Sequence, residues 1–107
     1  MAIDVNADTF EQKVLKSSTP VLVDFWGPSC QPCLVLGPQV EELEKDYGGK
    51  FKLVKIDASK NRRLCLNMRV LGLPTFLIFK GGQEIDRLNG AGLTIDQIEK
   101  SVKKLVD

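Results

Sequence analysis

The chain has 107 residues, 43% of them hydrophobic and 27% charged, and a formal net charge of +1. That length suits one domain with a real core, residues 1–107, and leaves little room for a second. With Lys and Arg spread along the chain there is no nucleic-acid or membrane-surface footprint, and no apolar stretch approaches a membrane span.

The opening Met1-Ala2-Ile3-Asp4-Val5-Asn6-Ala7-Asp8 lacks the basic start and apolar run of a secretory signal, which predicts a cytoplasmic protein. Ile3 to Val5 reads as a short edge strand. Asn6 is a good N-cap for a helix running to about Lys16, with Ala7, Phe10 and Val14 on one face. Ser17-Ser18-Thr19-Pro20 breaks it. Val21-Leu22-Val23-Asp24-Phe25-Trp26 then reads as a strand buried on both faces.

Cys30-Gln31-Pro32-Cys33 follows, where that strand hands over to a helix. The helix keeps Leu36, Val40, Leu43 and Tyr47 on one stripe. Pro32 is tolerated in its first turn, whereas Pro38 lies inside and should remove a backbone bond and bend the helix. Gly48-Gly49 ends it, and Phe51 to Asp57 reads as the next strand. The unit from Val21 to Asp57 has the length of a right-handed strand–helix–strand crossover, so its strands should pair in parallel.

A short helix is predicted over residues 60–67, with Leu64 and Met68 one turn apart. Cys65 falls there, either as a small buried side chain or as a regulatory thiol. Gly72-Leu73-Pro74-Thr75 interrupts the chain before the strand Phe76-Leu77-Ile78-Phe79. Gly81-Gly82 joins that strand to Glu84-Ile85-Asp86-Arg87-Leu88 as an antiparallel hairpin. Thr94 with Gln97 makes a capping box for a last helix, whose apolar face is Ile95, Ile98, Val102 and Leu105. The order βαβαβαββα predicts an α/β fold, a central mixed sheet of about five strands with helices on both faces.

A CxxC pair serves as half of a zinc site, as a structural bridge or as a redox dithiol. The chain has no histidine and only one further cysteine, Cys65, so an all-protein tetrahedral zinc site would need carboxylates. A structural bridge across so short a loop would constrain an unfolded chain little. The strand–CxxC–helix setting favours the dithiol, because the positive end of a helix and its unpaired N–H groups stabilise a thiolate, the attacking form of cysteine. Asp24 intrudes on an apolar run. Buried and unpaired, its carboxyl would be pushed toward protonation; at a strand end reached by water it would not. Alternation puts it on the same face as Trp26.

Asp24-Phe25-Trp26, Cys30-Gln31-Pro32-Cys33, Pro38, Lys55, Leu73-Pro74-Thr75, Phe79-Lys80-Gly81-Gly82 and Gly90-Ala91 together resemble the thioredoxin family, in its order and over essentially the whole chain. The resemblance implies a thioredoxin-like fold and a protein-disulfide reductase. Cys30 would be the exposed nucleophile, Cys33 the buried resolving thiol and Asp24 its proton acceptor through water. Lys55 would partner Asp24 in the interior, or stand exposed on an alternating strand. Pro74 would be cis, and Leu73 would offer backbone hydrogen bonds to a substrate or simply pack in the core. Trp26, Gly72, Gly90 and Ala91 would frame one shallow apolar groove, although an aromatic alone is as readily core.

The same resemblance implies a monomer with no bound cofactor, its electrons carried by the Cys30–Cys33 disulfide. Its partners would be protein disulfides and a thioredoxin reductase, either NADPH/flavin or ferredoxin-linked, in cytoplasmic electron transport and redox homeostasis. Three places depart from the family pattern: Ser29 where tryptophan is usual, Gln31 for glycine and Leu34 for lysine, with Pro32 kept. Ser29, Gln31 and Pro32 would tune the redox balance and partner fit. Two other readings are a disulfide donor or isomerase, and a binding module that uses the fold without the chemistry.

Overall fold

The computed structural model describes residues 2–106. Five strands form one mixed sheet in the order β1-β3-β2-β4-β5, with β1 at Ile3–Asp4, β2 at Val21–Trp26, β3 at Lys52–Asp57, β4 at Thr75–Lys80 and β5 at Gln83–Asn89. β2 is therefore central. It pairs in parallel with β3, Val21 opposite Lys52 through Trp26 opposite Asp57, and antiparallel with β4. β1 adds to the far side of β3 in parallel, while β4 and β5 close the other edge as the expected hairpin.

Alternation along β2 divides the core in two. Val21, Val23 and Phe25 face one side, where they pack with Phe10, Val14, Leu64 and Cys65. Leu22 faces the other and packs with Leu36, Val40 and Leu43 of α1 (Gln31–Asp46) and with Ile98 and Val102 of α3 (Ile95–Val106). Helices thus cover both faces, and β2 is buried on both sides as an interior strand must be. The crossover α1 runs unbroken through Pro38. The Thr94–Gln97 box forms, the Thr94 N–H donating to the Gln97 side chain at 2.9 Å.

The first helix departs from expectation. Asn6 does cap, its Oδ1 accepting from the N–H groups of Asp8 at 2.9 Å and Thr9 at 3.2 Å. Those bonds close a tight turn, and a widened π-helical turn, Glu11–Leu15, follows in place of a regular helix. Lys16 N–H accordingly donates to Glu11 O, five residues back. Phe10 and Val14 point into the core but Ala7 is exposed. The predicted short helix splits too: a 3₁₀ turn at Ala58–Lys60 precedes α2 (Arg62–Asn67). Cys65 is buried on α2, the first of its two readings.

Candidate active site

β2 ends at Trp26, and three residues carry the chain to Cys30, which caps α1. The cap is made by sulfur. The Cys33 backbone N–H points at Cys30 Sγ over 3.3 Å, a place where a hydroxyl or carboxylate oxygen more often sits. Pro32 lies in the first turn, where its missing N–H removes no helical bond. Cys30 and Cys33 form a disulfide with their Cα atoms 5.3 Å apart. The two sulfurs are not equivalent: Cys30 is partly exposed, whereas Cys33 is 4% exposed. Ser29 and Gln31 beside them are exposed and Pro32 is half-buried. Leu34 and Val35, on the next turn, put two apolar side chains into solvent.

Asp24 lies in the central strand at 1% exposure, and neither carboxylate oxygen has a hydrogen-bond partner among the described residues. By alternation it shares the α1-covered face of the sheet with Leu22. Burial pushes its carboxyl from 3.8 up to about 7; Lys55 opposes that rise and Glu41 adds to it. Lys55 is the register partner of Asp24 on β3. Its ammonium does not bond the aspartate. It donates to Glu41 Oε2 of α1 at 3.3 Å and stands 5.5 Å from the centre of the Trp26 ring. Lys55 is thus neither a direct ion-pair partner of Asp24 nor a free surface lysine. It is half-buried, held by the rim of α1, and acts on Asp24 through space. Gly37 leaves room for it: a Cβ there would come within 3.4 Å of the ammonium.

The second wall of the site comes from the approach to the neighbouring strand β4, where Thr75 lies opposite Phe25 at the end of β2. The Leu73–Pro74 bond is cis. Thr75 Oγ1 donates to Gly72 O at 2.6 Å, and Gly90 N–H donates to Pro74 O at 3.2 Å, so Gly72, Pro74 and Gly90 form one connected turn region. Leu73 reaches the dithiol loop: a Cβ on Gly27 would lie 3.1 Å from its Cδ1. Beside Cys30 is an open apolar hollow, with Leu73 and Ala58 opposite Gly27 and Pro28. The single groove expected from Trp26, Gly72, Gly90 and Ala91 is therefore divided. Gly72 and Gly90 meet in a neighbouring hollow, Trp26 lines a separate polar one with Lys55 and Asp57, and Ala91 follows Gly90 at the exposed surface.

Ala58 and Ser59 were not anticipated at the site. A signal was present: Asp57 accepts from Ser59 N–H at 3.0 Å and from its hydroxyl at 2.6 Å, the turn that an Asp-x-Ser run favours. Glu41 was missed as well, and nothing in its place on a charged helix face marked it. Among the described residues no cluster of His, Cys, Asp or Glu could hold a metal.

A closing disulfide at a helix N-terminus, one sulfur reachable and one buried, on a mixed five-stranded sheet, defines a dithiol thiol–disulfide oxidoreductase that reduces protein disulfides. The family model described as Thioredoxin matches residues 1–104. "Thioredoxin" of Acetoanaerobium sticklandii is 45% identical over 103 residues, 96% of this chain and 98% of that protein. "Thioredoxin 1" of Nostoc sp. is 44% identical over 90 residues, 84% of each chain. "Thioredoxin M-type, chloroplastic" of Chlamydomonas reinhardtii is 41% identical over 87 residues, 81% of this chain and 62% of that protein. The chain belongs to the thioredoxin family.

Proposed function

We propose that Cys30 opens the substrate disulfide, Cys33 resolves the mixed disulfide and Asp24 takes the proton that Cys33 must lose. The Cys30 thiolate attacks one substrate sulfur, the substrate S–S bond breaks, and the other sulfur leaves as a thiolate. Cys33, deprotonated toward Asp24 through solvent, attacks Cys30 Sγ and expels the second substrate thiolate. Two electrons pass to the substrate, and the Cys30–Cys33 disulfide remains. A carboxyl raised to about 7 suits this work, since near neutral pH a sizeable share is ionised and ready to accept.

The observation that carries the reading is the sulfur cap, an N–H aimed at Cys30 Sγ from the first turn of a helix. The hollow bounded by Leu73 and Ala58 would receive the substrate chain beside Cys30, with Gly72, Pro74 and Gly90 backing Leu73, and Ser29 and Gln31 tuning partner fit. The protein works as a single cytoplasmic domain, monomeric and without a bound cofactor. It is returned to the dithiol by a reductase drawing on NADPH through flavin or on ferredoxin, and so serves electron transport and redox homeostasis. Reduction of an insulin-type disulfide tests the roles. Cys30→Ser and Cys33→Ser should each abolish turnover, with Cys33→Ser accumulating a mixed disulfide on Cys30; undiminished turnover in either variant rules the scheme out.

A further inference from the structure

The hollow beside Cys30 does not end at Leu73. Leu73 and Ala58 also border a second, largely apolar hollow of about 340 Å³, which continues away from the dithiol over Cys65 and Val70 to Leu66 and Leu71. These last two leucines are 68% and 86% exposed, an unusual way to leave large apolar side chains. The rim is charged with one sign. Arg62 borders the second hollow, and Arg69 borders the neighbouring one that holds Gly72 and Gly90. Among the described residues no carboxylate lines any of the three hollows, and neither Arg62 nor Arg69 has an ion-pair partner. The two acids that flank this segment in the chain already have partners: Asp57 accepts from Ser59 N–H, and Glu84 holds Arg87 at 2.8 Å.

This arrangement is written in the chain. From Ala58 to Gln83 there are Lys60, Arg62, Arg63, Arg69 and Lys80 and not one Asp or Glu, although the protein as a whole carries 15 cations and 14 anions. Lys and Arg are indeed spread along the sequence; it is the carboxylates that avoid this segment.

We infer that the groove running from Cys30 over Leu73 to Leu66 and Leu71 selects substrate proteins whose disulfide is flanked by an apolar residue and then by carboxylates. The inference rests on the reductase reading, since it concerns the substrate chain that must lie beside Cys30. Continuity sets the occupant: a segment whose sulfur reaches Cys30 extends past Leu73 into the second hollow, where an apolar side chain covers Leu66 and Leu71. Carboxylates beyond it meet Arg62 and Arg69, which steer the encounter at long range and weaken as salt screens them. The reaction is unchanged: the substrate S–S bond becomes two thiols as the Cys30/Cys33 dithiol becomes a disulfide.

The test uses the reduced full chain and three peptides, each closed by one intrachain disulfide and flanked by Leu-Leu-Asp-Asp, Leu-Leu-Lys-Lys or Ser-Ser-Asp-Asp. At low salt the acidic leucine peptide should be reduced about tenfold faster than the basic one, and most of that advantage should vanish in about 0.5 M NaCl. Arg62→Glu with Arg69→Glu should invert the charge preference. Leu66→Ser with Leu71→Ser should bring the leucine peptide down to the rate of the serine peptide. Hydroxyethyl disulfide, small and neutral, should react at the parental rate with every variant, which shows that fold and dithiol are intact. Equal rates for the acidic and basic peptides, or a preference untouched by the paired arginine reversals, would overturn the inference. A parent unable to reduce hydroxyethyl disulfide would instead remove the reductase reading beneath it.

Discussion

Replacing Asp24 by asparagine should stabilise the protein, and by more as pH rises. The carboxyl is buried with both oxygens unpartnered among the described residues, so its charged form is what the fold resists. Its pKa goes from 3.8 in an unstructured chain to about 7 in the fold. Below the lower value Asp24 is neutral whether the chain is folded or not, and its contribution is fully present. Between the two values the unfolded chain releases the proton while the folded protein keeps it, so stability falls as pH climbs. Above about 7 both states are ionised and the loss levels off. At about 1.4 kcal/mol per pKa unit, the whole loss comes to about 4 kcal/mol. An asparagine amide has no proton to lose over this range. Urea unfolding of parent and Asp24→Asn, both oxidised so that Cys30 and Cys33 do not titrate, should give similar stabilities near pH 3.5. The gap should open through pH 4–7 and plateau near pH 8 at about 4 kcal/mol in favour of the variant. A gap that does not change with pH, or a variant less stable than the parent at pH 8, would refute the reasoning.

Other consequences are more local. Gly82 has φ +80, and a Cβ there would meet the Leu15 carbonyl oxygen at 2.8 Å, whereas Gly81 at φ +61 has nothing within 4 Å. Thermal unfolding should therefore show Gly81→Ala costing about 1 kcal/mol and Gly82→Ala clearly more, and equal costs would contradict the contact. Arg87 joins β5 to the end of α2, donating to Met68 O at 2.8 Å and Arg69 O at 2.9 Å while bonding Glu84. Arg87→Ala should lose about 1–3 kcal/mol in urea and speed hydrogen exchange in residues 69–73, which lead to Pro74. Phe76, fully buried on β4, should cost about 3–5 kcal/mol when cut to alanine; a loss under 1 kcal/mol would contradict its place in the core.

The strands, the crossover and the hairpin could be read from the chain because each has a periodic signal long enough to exclude the alternatives. The central strand has no polar face to alternate with, and its even apolar run reports burial on both sides. What escaped prediction was decided by contacts between distant residues. The first helix is widened because Asn6 and Thr9 close a turn ahead of it, a competition between side chain and backbone that composition leaves open. Lys55 turned toward Glu41 rather than Asp24 because α1 crosses above β3, and only the packed helix brings that carboxylate within reach. Glu44 is similar: it sits on α1 among charged neighbours, yet it is buried and accepts the Leu53 N–H at 2.8 Å. The expected groove lost Trp26 because its side chain lines a hollow with Asp57 and Lys55, while Leu73 and Ala58 border the hollow beside Cys30.

Disulfide exchange at this site depends on Cys30 being an acidic thiol at a helix tip. In the reduced protein, the rate of Cys30 alkylation by iodoacetamide should be followed from pH 4 to 10 by mass spectrometry, with buried Cys65 as an internal reference whose thiol burial pushes up. The midpoint for Cys30 should lie at least one unit below the value of about 8.5 for a free thiol, with Cys33 and Cys65 unmodified over the same range. A Cys30 midpoint at or above 8.5 would contradict it.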